Sequence, residues 1–228
     1  MKEKITDVFF DLDHTLWDFE KNSALTYKKI LMHHEVAVSL EKFLEVYIPL
    51  NLAYWKLYRE EKISKEQLRY QRLRNTFDKL DFSIDDSLIL KLSEAYVEEL
   101  PNQNFLFQNS IEILDYLKTT YRLHIITNGF KEVQHGKLKN SNIIDFFTHV
   151  VNSEMVGVKK PNPKIFNFAL EKAGVPASQA IMIGDNLEAD ILGAQNAGMQ
   201  ALHFNSNNEA YHEHCIIIND LIEIKQYL

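Results

Sequence analysis

The chain reads as an α/β protein, a parallel sheet flanked by helices and interrupted after its first strand by an inserted helical domain. Three observations predict this. Short apolar runs alternate with segments of helical spacing through the C-terminal half, which is the pattern of the strand-helix-strand units that build parallel sheets. Several of those runs are apolar almost without a break, as strands buried on both faces must be. From about Phe19 to Asn104 the alternation stops, and only amphipathic helical runs remain.

The elements follow in order. The first strand, Asp7–Phe10, opens the string VFFDLDHTLWD. In the insertion, Ser64-Lys65-Glu66-Gln67 has the spacing of a capping box and starts a helix that runs to about Leu80. The turn formers of PNQNF, Pro101–Phe105, mark the return to the sheet. These limits give a core domain of residues 1–18 and 105–228 and a helical domain of residues 19–104. Helical spacing then covers Asn109–Thr119, Phe130–Asn140, Pro163–Ala173 and Leu187–Ala197. Between these lie the strands Leu123–Thr127, His149–Asn152, Ala180–Ile183 and Ala201–Phe204, with Ile216–Ile218 a candidate sixth. Gly174 and Gly198 fall just past two of the helices, where a left-handed C-cap belongs.

Composition narrows the function. The 228 residues suffice for one good core and a smaller accessory domain. No apolar run approaches the roughly eighteen residues of a membrane span, and the N-terminus turns acidic where a signal peptide needs its apolar region. A cytoplasmic protein with no membrane partner is therefore expected. The single cysteine, Cys215, excludes an intramolecular disulfide and a cysteine-based zinc site, and reads as a small buried hydrophobe. Lys and Arg number 25 against 32 Asp and Glu, a net charge of −7, which argues against a nucleic-acid polymer as partner. An anionic ligand would then need local positive charge from a bound cation and a few chosen lysines.

The chemistry begins at Asp11 and Asp13. In extended chain, residues two apart project to the same side, so both carboxylates face one small volume as the strand ends. Like charges so close call for a cation, a shared proton, or both. Reading the other strand ends adds Thr15, then Thr127-Asn128-Gly129, then Lys159-Lys160-Pro161, then Gly184-Asp185 with Asp190 five residues on. Ligands of open α/β sheets bind outside the carboxyl ends of the strands, so an insertion leaving at that edge is expected to serve as a lid. The set suits phosphoryl transfer: a carboxylate to attack, an acid/base beside it, a hydroxyl and amides for phosphate oxygens, and a lysine to balance charge. Mg²⁺ takes oxygen ligands and is commonly held by one or two carboxylates plus phosphate, which Asp11 and Asp185 can supply. Splitting the reaction through an aspartyl-phosphate makes two easier steps, with Asp13 placed to protonate the leaving oxygen and then activate water.

DLDHT, ITNG, GVKKPNPKIF and GDNLEADILGAQNAGM resemble, in order and spacing, the four motifs of the haloacid dehalogenase (HAD) superfamily, phosphatase branch. The resemblance spans essentially the whole chain and implies a Rossmann-like core with a helical cap of the C1 type. ITNGF followed by SEMVGVKKPNPKIF looks most like the YjjG/YfnB-type nucleoside 5′-monophosphate phosphatases. By that resemblance Asp11 is the nucleophile and a magnesium ligand. Asp13 is the general acid/base, with its main-chain carbonyl also on the metal. Thr127 and the Asn128 backbone bind phosphate. Lys160 neutralises nucleophile and phosphate, with Lys159 its nearest rival. Asp185 ligates magnesium, and Asp190 supports the metal or Lys160 from behind, although a carboxylate there also suits a helix N-terminus.

The implied partner is a small phosphorylated metabolite, a nucleoside monophosphate. Sugar phosphates or phosphoglycolate-like small acids, as substrates of a phosphatase or phosphomutase, are the alternative. A 2-haloacid dehalogenase of this superfamily would need neither Asp13 nor Asp185, and a non-catalytic binding protein should have lost Asp11 or Asp13 first. In the insertion, Tyr54, Trp55 and Tyr58 read as domain core or as a base-stacking platform, and Arg69 and Arg72 as a solvated, structural or anion-facing pair. Trp17, just past the first motif, is expected to face the substrate as readily as the core.

Overall fold

The computed structural model describes residues 5–228, which form two compact units. One takes the chain up to Phe19 and from Asn104 to Leu228; the other is Glu20–Gln103. No described helix is long and apolar enough to cross a membrane.

The helical unit is built from α1 (Phe19–His33, all but its first residue), α2 (Leu40–Arg59), α3 (Lys65–Lys79) and α4 (Asp86–Glu99). Each of the last three starts on a side chain that accepts a free amide: Ser39 from Lys42, Ser64 from Gln67, and Asp85 from Leu88. The Ser64 capping box forms as expected, and the helix that it opens ends at Lys79. Apolar and aromatic side chains at helical spacing, among them Tyr27, Phe43, Tyr47, Phe77 and Tyr96, make its core. Arg72 is not part of an exposed basic face. It is buried in this core, with its guanidinium 5.0 Å from the Tyr96 ring centroid and 5.9 Å from that of Tyr47, and donates to Asn51 Oδ1 at 3.0 Å. Tyr58 is buried and meets Trp55 edge-on, as expected for residues of the domain's own core.

The α/β unit carries six parallel strands: β1 (Asp7–Phe10), β2 (Arg122–Thr127), β3 (Phe147–Asn152), β4 (Ala180–Gly184), β5 (Gln200–Phe204) and β6 (Ile216–Ile218). Their order is β3-β2-β1-β4-β5-β6. The connections run outward from β1 through β2 to β3, then return to the other side of β1 for β4, so the direction of winding reverses between β1 and β4. Open α/β sheets place their sites at the carboxyl ends flanking this reversal.

The helices of this unit are α5 (Ser110–Leu117), α6 (Lys131–Asn140), α7 (Ser153–Val156), α8 (Pro163–Ala173) and α9 (Gly193–Asn196), and a 3₁₀ helix, Leu221–Gln226, closes the chain. Alternation along the strands sorts the core. Phe9, Ile126 and Met182 pack with Ile165, Phe166, Ala169 and Ala194 of α8 and α9. Val8, Phe10, Ile125, Ile181 and Ile183, equally buried, point to the opposite face.

Element limits fall within a residue or two of those read from the sequence, except in one place. The helix expected over Leu187–Ala197 opens as a π turn, Leu187–Leu192, before α9. In this turn the Asp190 carboxylate bends back to accept from the Asn186 amide at 3.1 Å. Such π segments concentrate at functional sites.

Opposite the site, at the amino end of β1, Asp7 is fully buried. Burial alone would raise its pKa, but hydrogen bonds from Thr6, His124 (2.8 Å) and Arg122 (2.9 Å) hold it below the ordinary carboxylate value. A carboxylate lowered on folding stabilises above its unfolded value, and that contribution is lost as pH falls through the folded one. Asp7→Asn should therefore cost about 2 kcal/mol at neutral pH. Urea unfolding of both proteins should show the difference narrowing as pH drops below the ordinary carboxylate range.

Candidate active site

At the carboxyl end of the sheet, Asp11 continues the β1–β4 ladder, its amide donating to Ile183 at 2.9 Å. Its side chain meets Lys160, whose Nζ lies 2.6 Å from Asp11 Oδ1 and donates to the Ile126 carbonyl at 2.8 Å. The same ammonium lies 2.6 Å from Asp190 Oδ1 as an ion pair. Lys160 is held by its backbone: Asn128 Oδ1 accepts from the Lys160 amide at 2.8 Å, and Asn128 Nδ2 donates to its carbonyl at 3.0 Å. These bonds use Asn128 Oδ1 and one of the two Nδ2 protons, and fix the side chain on Lys160. Between the two candidate lysines, the structure puts Lys160 in the buried cluster and leaves Lys159 half-buried outside it.

Asp185 follows β4 directly. Thr15 Oγ1 donates to its Oδ1 at 3.3 Å and Asn207 Nδ2 to its Oδ2 at 2.8 Å, while its carbonyl meets His203 Nε2 at 2.7 Å. Gly184 is required by close approach: a Cβ there would lie 2.5 Å from the Asp190 carboxylate. Glycine lets Asp190 reach beneath the strand end to Lys160. Oxygens of Asp11, Asp185 and Asp190 all lie within 4.8 Å of one another.

Asp13 turns to a different set of partners. Lys137 Nζ donates to its Oδ1 at 2.5 Å and Gln134 Nε2 to its Oδ2 at 3.0 Å. Gln134 Nε2 also reaches Thr127 Oγ1 at 2.7 Å, and the Gly129 amide donates to the same oxygen at 3.1 Å. Both lone pairs of the Thr127 hydroxyl are thus engaged, leaving its proton to donate. The glycine of the TNG motif has a steric reason too, since a Cβ at Gly129 would lie 2.3 Å from Gln134 Nε2.

Trp17 corrects an expectation. It is fully buried, with Lys137 Nζ 4.2 Å from its ring centroid, so its indole forms the wall behind Asp13 and offers no open face to a substrate. Lys137, Gln134, His203 and Asn207 were not singled out from the sequence. For the first two the legible signal was their i, i+3 spacing on the helix after TNG.

Burial and the nearby Asp190 and Asp13 charges push Asp11 up to about 7 against the pull of Lys160, and Asp185 is raised for the same reasons, burial first. Asp11 and Asp190 keep Lys160 charged despite its burial. Burial likewise lowers His14 to about 4, so its imidazole is neutral near pH 7. Three buried carboxylates against one ammonium leave excess negative charge, and an all-oxygen donor set of this kind fits a hard divalent cation.

The chain is similar to known proteins along most of its length. Residues 8–204 match the family described as haloacid dehalogenase-like hydrolase. The chain is 32% identical over 225 residues to the pyrimidine 5′-nucleotidase YjjG of Escherichia coli, covering 97% of this chain and 96% of that protein. It is also 32% identical over 238 residues to a glyceraldehyde 3-phosphate phosphatase of Methanothermobacter thermautotrophicus, covering 97% and 98%. The HAD-hydrolase YfnB of Bacillus subtilis, in a crystal structure bound to magnesium, superposes with a TM-score of 0.88 at 24% identity over 98% of both chains. The chain belongs to the haloacid dehalogenase-like hydrolase family.

Proposed function

We propose that the protein is a magnesium-dependent phosphomonoesterase that works through an aspartyl-phosphate on Asp11, with nucleoside 5′-monophosphates as substrates. The observation that carries this reading is the division of the acidic pair. Asp11 is gathered with Lys160, Asp185 and Asp190, whereas Asp13 is held apart by Lys137 and Gln134.

A carboxylate on the cation side is suited to attack phosphorus, and one kept off that side is suited to carry protons. Asp11 attacks as the ester P–O bond breaks, and the departing oxygen takes a proton from Asp13. In the second step Asp13, now ionised, removes a proton from water as its oxygen attacks the phosphoaspartate, releasing inorganic phosphate and restoring Asp11. The Thr127 hydroxyl and the Asn128 main chain hold phosphate oxygens, and Lys160 balances the charge gathered on nucleophile and phosphate. Magnesium held by Asp11, Asp185 and the Asp13 carbonyl would supply charge neutralisation for the transferring group, with Asp190 supporting it through Lys160.

The nucleotidase relative at 32% identity supports nucleoside monophosphates as substrates. The glyceraldehyde 3-phosphate phosphatase at the same identity supports a second reading, a small phosphorylated carbonyl compound.

Three outcomes test these assignments. Asp11→Asn should abolish phosphate release while its circular dichroism and melting temperature stay close to wild type; turnover persisting in a clean preparation would refute the nucleophile. EDTA should remove activity, and excess Mg²⁺ should restore it; full activity in the chelator would remove the metal from the reaction. Across uridine, thymidine and adenosine 5′-monophosphates, glyceraldehyde 3-phosphate and phosphoglycolate, kcat/KM should be highest for a nucleotide. A small acid or aldehyde ranking first would overturn the substrate and leave the chemistry standing.

A further inference from the structure

The acid/base assigned to Asp13 needs a carboxylate aimed at one oxygen, yet Asp13 is partly exposed and lies just past a strand end, where a free side chain would sample several rotamers. Two residues of α6 prevent this. Lys137 and Gln134 stand one helical turn apart on the same face and bind one carboxylate oxygen each, at 2.5 Å and 3.0 Å. Both side chains are almost wholly buried, at 2% and 1% exposure.

Their placement comes at a cost that core packing does not explain. Lys137 is a buried ammonium lying 4.2 Å from the Trp17 ring centroid and 5.2 Å from that of Phe19. The two rings, inclined at 62° to each other, form an aromatic corner that stabilises a desolvated cation. Gln134 leaves its Oε1 buried with no hydrogen-bond partner among the described residues, an unsatisfied acceptor worth about 1–3 kcal/mol against the fold. Its Nε2, by contrast, is shared between Asp13 Oδ2 and Thr127 Oγ1. The amide is thus placed for the site and not for its own satisfaction. It ties the proposed proton carrier to the proposed phosphate-binding hydroxyl.

We propose that Lys137 and Gln134 are positioning residues that lock the Asp13 carboxylate in the orientation for proton transfer to the leaving oxygen. This rests on the reading of Asp13 as general acid/base. Each carboxylate oxygen has two lone-pair sites, so anchoring both oxygens from the α6 side leaves the opposite side of the group free to carry the proton. During transfer, the Asp11–phosphorus bond forms, the ester P–O bond breaks, and its electron pair takes the Asp13 proton. A leaving group that is stable as an anion needs no such proton.

The test is the dependence on leaving group, which a merely structural role would not produce. Single-turnover phosphoryl transfer with Mg²⁺ present is measured for uridine 5′-monophosphate, an alkyl ester, and para-nitrophenyl phosphate, an aryl ester. In Lys137→Met, transfer from the alkyl ester should fall by about a hundredfold, the lower end of what general acid catalysis contributes. Release of nitrophenolate in the first turnover should stay within about threefold of wild type and appear as a burst, because the later attack of water is slowed as well. Gln134→Met should show the same split to a smaller degree, and provides the measurement should Lys137→Met fail to fold.

Asp13→Asn is run alongside. If Asp13→Asn discriminates between the esters and the α6 variants do not, positioning by Lys137 and Gln134 is overturned while the acid/base stands. If Asp13→Asn shows no discrimination either, the acid/base reading itself fails. Equal losses for both esters in the α6 variants would reduce these residues to structural support.

Discussion

One buried ammonium organises the catalytic edge of the sheet. Lys160 joins Asp11 to Asp190 and reaches the Ile126 carbonyl, so it ties the ends of β1 and β2 to its own loop and to the π turn that follows β4. Without it, three carboxylates that approach within 4.8 Å would have no cationic side chain between them in surroundings of low dielectric, where like-charge repulsion is strong. Much of the local architecture serves this one contact. Asn128 clamps the Lys160 backbone at its amide and its carbonyl, Gly184 lacks the side chain that would block Asp190, and Asp190 itself stands in the π turn after β4. The cluster still carries more negative charge than Lys160 offsets, which is the condition for recruiting a cation.

The strand order explains why these groups converge. Winding outward from β1 through β2 to β3 and then returning for β4 places β1 between β2 and β4. Asp11 and Asp185, just past β1 and β4, and Thr127, the last residue of β2, therefore emerge side by side although more than a hundred positions separate the first from the others in sequence. The loop after β3 then delivers Lys160. Asp13 escapes the cluster because α6, launched from the TNG turn, offers it Lys137 and Gln134. Two acids two residues apart thus acquire separate surroundings, the arrangement that distinguishes a nucleophile from a proton carrier.

Much of this was legible in the residues. Near-continuous apolar runs marked strands buried on both faces, and the Ser64 box, Gly174 and Gly198 marked helix ends through local backbone chemistry. The polar residues at those strand ends could be named because a parallel sheet sends its carboxyl ends to one edge. Harder to read were groups whose role depends on what lies across space. Arg72 read as solvated, structural or anion-facing, and lies buried between tyrosines. Trp17 looked available and backs an ammonium. Lys137 and Gln134 share a helix face at i, i+3 spacing, but that spacing does not tell a lysine that faces solvent from one that faces a carboxylate.

The sequence by itself determined the α/β class, the helical insertion and the identity of the acidic, hydroxyl and lysine groups at the strand ends, because hydrophobic period and turn chemistry act over a few residues. The tertiary structure alone decided which groups surround Lys160, why Gly129 and Gly184 must lack side chains, and how Asp13 is held. The contacts of Lys160 and Asp13 join segments more than thirty to more than a hundred residues apart, which only the packed sheet brings together, and the two glycines are explained by side chains that the fold turns back onto them.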